Sequence, residues 1–292
     1  MGIIFSIIAA LFFGLYTLPK KVSHLQAYVY AIFMALGFSI SSIIAYLIYL
    51  SFGNNFDLFN FNLIYAILAG FLWGLAFMLL ISAIERIGIV RSNQWKNLQG
   101  PIGVGLNLLI LGEASKVNPF LALTAGFLIF ISAIFFNLKS NTQSKPNDAG
   151  VFYAISSGVL FGIVSLINNY VTKVAGIYNQ QVFCSISILI TLLLIGFKSN
   201  LIDLKNLGTK KELIIAGLSG VLYFGASVFM LLAFQNIESS IAFNIIQLNF
   251  IVVVVAGIIF FKEYNIKTHW KTILLGIISA TAGVIILSFA RG

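Results

Sequence analysis

The sequence predicts an all-α integral membrane protein of ten transmembrane helices, arranged as two inverted five-helix repeats. Three observations predict it. Hydrophobic side chains make up 60% of the 292 residues and charged ones only 9%, with a mean hydropathy of +1.04, whereas about 25% of a soluble domain is charged. Apolar runs of about twenty residues recur along the chain, each long enough to cross a hydrocarbon layer of about 30 Å as a helix. They are continuous rather than alternating, which disfavours a barrel. Finally, the sequence resembles itself at a shift of about 150 residues.

The spans fall at 2–19, 26–50, 63–84, 88–111, 117–137, 150–171, 178–197, 213–234, 239–261 and 268–289. The first run lacks a basic leader and a small-residue cleavage site, so it reads as a permanent helix rather than a signal peptide. The seventh contains the single cysteine, Cys184, which excludes a disulfide framework and reads as a small apolar packing residue. The polar connectors are 52–62, 139–149 and 198–212. The middle one, KSNTQSKPNDA, separates a first repeat at 1–138 from a second at 150–292.

The formal charge of +9 lies in short connectors rather than on a soluble face, which argues against a nucleic-acid partner. With ten spans the termini share a side. Its connectors carry only Lys116, Lys173 and Arg291, against twelve lysines and arginines on the other, from Lys20 and Lys21 to Lys262, Lys267 and Lys271. Basic loops favour the cytoplasm, so both termini are expected outside a multi-pass protein of the cell membrane.

A shift of 150 residues superposes spans three to five on eight to ten without a gap. LAGFLWGLAF at 68–77 meets LSGVLYFGAS at 218–227, placing Gly70 on Gly220 and Trp73 on Tyr223. The rarer polar residues also coincide: Gln94 on Asn244, Asn97 on Gln247, Gln99 on Asn249 and Glu113 on Glu263. A shift of 148 places Phe13 and Gly14 on Phe161 and Gly162. Because five is odd, the two copies must insert in opposite senses. In such inverted repeats the solute site lies near the midplane where the halves meet.

These features resemble the drug/metabolite transporter superfamily, whose EamA-like members have ten helices in two five-helix repeats. The resemblance rests on the glycine-bearing opening helices, the gap-free repeat, and two matched spans ending in Glu, LLILGE at 108–113 and IIFFKE at 258–263. The run IGIVRS at 87–92, followed by a polar helix containing proline, is similar to the glucose/ribose porter branch of sugar uptake proteins. The resemblance implies a secondary transporter that moves a small polar solute, a sugar first, by alternating access. Export of amino acids or other small metabolites, anionic ones included, is the alternative.

The polar residues of the fourth span point to a site. Asn93, Gln94, Trp95, Lys96, Asn97 and Gln99 precede Gly100-Pro101, and such side chains are expensive in hydrocarbon unless they face a cavity or partners. Asn93, Asn97 and Pro101 share a helix face, and Pro101 is expected to kink the helix. The ninth span supplies Asn244 and Gln247, also on one face. Amides of this kind either bind solute or act as interhelical hydrogen-bonding groups. Trp73, Trp95, Tyr16 and Tyr223 are candidates for an aromatic wall against the C–H face of a sugar. Ser165, Asn168 and Asn169 come from the sixth span, the last two near its end. Trp270, Tyr28, Tyr49 and Tyr178 read as interfacial anchors.

Lys96 either snorkels to the basic side or lies in the cavity, where it would meet a substrate carboxylate or phosphate. Arg91 reads as a snorkelling or gating residue, and Glu113 and Glu263 as gating residues paired with loop lysines. No acidic residue falls mid-span, so no carboxylate proton relay is evident. The residues offer no catalytic constellation, metal cluster or channel filter, and no cofactor is expected. The partners expected are the solute and the bilayer, and the sequence leaves the oligomeric state open.

Overall fold

A computed structural model describes residues 1–53, 60–87, 92, 95–137, 148–198, 208–260 and 266–290. The described chain is built of α1 (Gly2–Leu15), a short α2 (Pro19–Val22), α3 (Ala27–Ser51), α4 (Leu63–Ile87), α5 (Gln99–Ile110), α6 (Pro119–Asn137), α7 (Asp148–Ala175), α8 (Ile177–Lys198), α9 (Lys210–Asn236), α10 (Ser239–Ile246), α11 (Asn249–Ile259) and α12 (Ile266–Ser288). Among the described residues, six helices are long and apolar enough to cross a membrane, and four shorter apolar segments accompany them.

Local chemistry sets several boundaries. Asn118 Oδ1 accepts from the backbone N–H groups of Phe120 (3.1 Å) and Leu121 (3.2 Å), starting α6 with Pro119 at its first position. Thr209 and Glu212 form a reciprocal capping box at the start of α9. Gly176, with φ of 80°, provides the left-handed residue that separates α7 from α8.

The helices pack chiefly across the two halves of the sequence: α4 on α7 and α8, α9 on α1 and α3, α5 on α7, α1 on α10 and α11, and α6 on α12. Glycines set the closest approaches. A Cβ on Gly14 would collide with Val252, and one on Gly162 with Ile102. Gly70 packs on the Cys184 carbonyl of α8, and Gly220 on the Met34 carbonyl of α3. Cys184 is buried as a packing residue, and outward residues such as Ile44, Leu47 and Leu194 are exposed, as a lipid-facing surface requires.

Three expectations need correction. The ninth span is two helices, α10 and α11, separated at Gln247-Leu248. In the fourth, residues 97–98 form a turn ahead of α5. Proline is not the common cause, because Ile251 stands where Pro101 stands in the other half. Both breaks are drawn together by short i→i−3 bonds, Leu98 N to Trp95 O (3.2 Å) and Leu248 N to Ile245 O (3.0 Å). Tyr28 is buried against Gly196 rather than exposed as an anchor. The sixth span continues to Ala175, so Asn168 and Asn169 lie well inside α7, and both are buried.

Candidate solute-binding site

A cavity of about 260 Å³ opens beside the two breaks. Asn97, Gln99, Gln247 and Asn249, the four amides flanking the broken turns, all line it. The turns free these side chains from regular helix packing. Gln99 Nε2 donates to Gln247 Oε1 (3.1 Å), joining the two breaks, and Asn249 Nδ2 donates to the Ile246 carbonyl that the break releases (2.8 Å). No described protein group bonds the Asn97 carboxamide, which also borders a small void beside Gly100, Pro101 and Gly126. Ser165 Oγ, on the cavity wall from α7, is buried and unpartnered among the described residues.

Aromatic rings also line the cavity. Tyr223 meets Tyr16, Phe13, Trp73 and Phe38 edge-on, with centroids 5.2, 5.6, 5.3 and 5.0 Å away. Trp73 stacks on Phe77 at 4.9 Å and meets Phe161 at 5.7 Å. The Ser219 hydroxyl donates to the Tyr16 carbonyl (2.6 Å) and hydrogen-bonds the Tyr30 hydroxyl, fixing the end of α1. Amides and a packed aromatic cluster lining one cavity suit a ligand with hydroxyl edges and C–H faces.

Two cations reach the cavity. The ammonium of Lys96 lies 5.7 Å from the Phe161 ring centroid. Lys20 Nζ donates to the Leu25 carbonyl (2.7 Å) and lies 5.3 Å from the Tyr30 ring. Burial lowers the Lys20 pKa, against a smaller upward pull from Glu212. The cavity wall contains no aspartate or glutamate among its described residues.

The cavity runs toward the end of the molecule that holds Leu18, Lys20, Ala27 and Ile84. The opposite end is sealed by hydrogen bonds. Glu113, in a short 3-10 turn after α5, accepts from the N–H groups of Ser239 and Ser240 (both 2.9 Å) and from the Ser239 hydroxyl (2.7 Å), capping α10. Asn169 Nδ2 adds contacts to Ser239 Oγ (2.6 Å), Asn107 Oδ1 (3.2 Å) and Glu113 (3.4 Å). Burial raises the Glu113 carboxyl pKa, but the hydrogen bonds from Ser240 and Ser239 outweigh it and hold the group below the usual carboxylate value. A second chain of amides links Asn168 on the cavity wall through Gln180 and Gln181 to Ser227, with contacts of 2.7, 2.9 and 2.8 Å.

Of the residues the sequence nominated, Asn97, Gln247, Lys96, Trp73, Tyr16 and Tyr223 meet at the cavity. Asn244 turns away, donating to the Ala122 carbonyl (3.1 Å) and facing Gly126 of α6. Trp95 packs with Ala83, Ile87 and Ala154 instead of lining the cavity. Glu113 bonds serines and an asparagine, not a loop lysine, because the orphan N–H groups of a helix start lie nearer. Asn93, Gln94, Arg91 and Glu263 lie outside the described residues. Sequence reasoning missed Lys20, which it placed in a loop, and the buried Asn107, Gln180 and Gln181. Their signal was available: each is a polar residue within or beside an apolar run.

Residues 106–290 match a family described as sugar transport protein. A protein of Streptococcus pyogenes serotype M1, named "Putative sugar uptake protein", is 23% identical over 235 residues, which cover 78% of this chain and 79% of that one. A protein of the same description from Streptococcus agalactiae serotype V is 22% identical over 231 residues, with the same coverage. A solved crystal structure shares the fold at a TM-score of 0.73 and 14% identity, covering 99% of this chain and 98% of its own.

Proposed function

The chain belongs to the sugar transport protein family, and from that premise we propose that it carries a small sugar across the cell membrane by alternating access. It is a multi-pass membrane transport protein rather than an enzyme. The observation that carries the solute reading is the cavity itself, which the amides of Asn97 and Gln247 line together with the Trp73, Tyr16 and Tyr223 rings. A volume of about 260 Å³ falls just below the range of about 300–1,000 Å³ usual for small-ligand sites, which favours a monosaccharide over a longer saccharide.

The mechanism rests on two inverted repeats of five spans, 1–138 and 150–292, joined by a linker at 139–149. Five symmetric features support this plan. The broken turns at 97–98 and 247–248 are 150 positions apart. The contact of Gly14 with Val252 is answered by that of Gly162 with Ile102, and the seat of Gly70 on α8 by that of Gly220 on α3. The packing of α4 on α7 and α8 is answered by that of α9 on α1 and α3. Finally, α6 packs on its own equivalent, α12. Rocking one half against the other about the broken helices would close the cavity at one end and part the seal at the other. The same plan supports reading the chain as a member of the drug/metabolite transporter superfamily.

The described basic residues Lys20, Lys210 and Lys211 lie at the end toward which the cavity runs, which supports a conformation facing the cytoplasm with both termini outside. Arg91, Glu113 and Glu263 take the role of gating residues in this reading, Glu113 as the acceptor that seals the outer end. Counterflow in proteoliposomes tests the proposal. Labelled hexose uptake should saturate and accelerate when unlabelled hexose is loaded inside. Uptake that rises linearly with concentration, or no uptake of any sugar, sinks the carrier reading.

A further inference from the structure

We propose that the solute is an anionic sugar, a monosaccharide-sized polyol bearing a carboxylate or phosphate, and that the ammonium of Lys96 receives the charged group. The inference rests on the carrier reading above and deepens it.

Lys96 immediately precedes the broken turn at 97–98, with its ammonium toward the cavity-lining ring of Phe161. That ring is its one partner among the described residues. A cation over a benzene face recovers only a small part of what removing an ammonium from water costs. The shortfall is ordinarily met by a carboxylate, and the described wall contains none. Lys20 adds a second positive charge to the same cavity, and its Coulombic partner, Glu212, does not line the wall. The field in the cavity therefore favours negative charge, and low-dielectric walls strengthen it.

The surrounding groups supply the rest of such a solute. Asn97 follows Lys96 directly and presents an amide without a described partner. Ser165 Oγ is buried and unpartnered, and Gln247 closes the far side beside Gln99. These groups can bond hydroxyls while the rings of Trp73, Tyr16 and Tyr223 accept the C–H face. A neutral sugar would satisfy the amides and leave the ammonium uncompensated. An anionic one satisfies both.

The test uses the purified full-length protein in proteoliposomes with three labelled probes: D-glucose, D-glucuronate and D-glucose 6-phosphate. Saturable uptake of glucuronate or glucose 6-phosphate, at a lower KM than glucose, is expected, and the two probes separate a carboxylate from a phosphate. Lys96→Gln should lower the ratio of anionic to neutral uptake by at least about tenfold, the loss of one charge-assisted hydrogen bond. Lys96→Arg, which keeps the charge, should retain most of that ratio, with size-exclusion profiles checking that both variants are folded. The wild-type comparison needs no variant at all. If glucose is carried and neither anion is carried or competes, the charge inference falls while the carrier reading stands. If Lys96→Gln leaves the ratio unchanged, the inference falls as well. If none of the three probes is carried while another neutral sugar is, the charge inference falls and the carrier reading stands; if no sugar is carried at all, both fall together.

Discussion

The two ends of the molecule spend similar residues on opposite tasks. At the cavity end Asn97 and Ser165 present amide and hydroxyl groups that no described side chain satisfies. At the sealed end Asn169, Ser239 and Glu113 bond one another across elements far apart in sequence. The difference teaches that a polar residue in a membrane span becomes a site or a seal according to its partners, not its type. Unmet groups bordering a void invite a solute, while groups bonded to one another hold helices together, even though Asn169 Oδ1 and Ser240 Oγ at the seal have no described partner of their own. The proposed alternating access would require the two conditions to exchange, and under it the strength of the seal would set how readily the cavity changes sides.

The largest expected effect lies at the seal. Glu113→Ala removes one acceptor that serves the Ser239 and Ser240 N–H groups, the Ser239 hydroxyl and Asn169 at once. Stranding several buried donors should destabilise this conformation by about 3 kcal/mol. Thermal unfolding of the detergent-purified protein should show a clear drop in midpoint, with transport impaired in proportion. An unchanged midpoint would mean that the sealed end is held by helix packing alone and that the contrast between the ends is not one of hydrogen bonding.

Much of the architecture was legible because twenty apolar residues leave a chain few alternatives in a bilayer. The helices from 27 to 51 and 177 to 198 begin and end within a residue or so of where hydropathy placed them. The matched amides at 97 and 247 mark the two breaks in the sequence itself. What sequence could not give was direction. Asn244 and Gln247 share a face by spacing, yet the break at Gln247 separates them, and Asn244 bonds the Ala122 carbonyl of α6. Glu113 and Ser239 are 126 positions apart, so no local pattern could reveal that one caps the helix begun by the other. Lys20 looked like an ordinary loop lysine because α2 folds it back over the cavity mouth.

Asn97→Leu and Asn244→Leu sharpen the contrast with smaller effects. Leucine at 97 removes a cavity-facing amide and should raise the KM for the transported sugar about tenfold, with little change in thermal midpoint. Leucine at 244 breaks the bond to Ala122 and crowds Gly126, whose Cα side faces the Asn244 carboxamide. It should destabilise by about 1–2 kcal/mol with KM nearly unchanged. The reverse pattern, affinity lost at 244 and stability lost at 97, would move the binding wall toward α6 and overturn the assignment of the cavity amides.

The smallest expected effect is a pH dependence confined to the seal. The folded-state pKa of Glu113 lies below its ordinary value because its hydrogen bonds favour the ionised form. A depressed pKa contributes stability that is fully present above the unfolded value and is lost as pH falls through the folded one. The wild-type protein should therefore exceed Glu113→Gln in thermal midpoint near neutral pH, and the gap should narrow steadily under acid. Glutamine keeps the side-chain shape but cannot ionise, so the subtraction isolates the charge. No cavity variant should share that profile, since the described wall contains no carboxylate to titrate. A gap that stays constant with pH would place the value of Glu113 in its shape and not its charge, leaving the seal a matter of neutral hydrogen bonds.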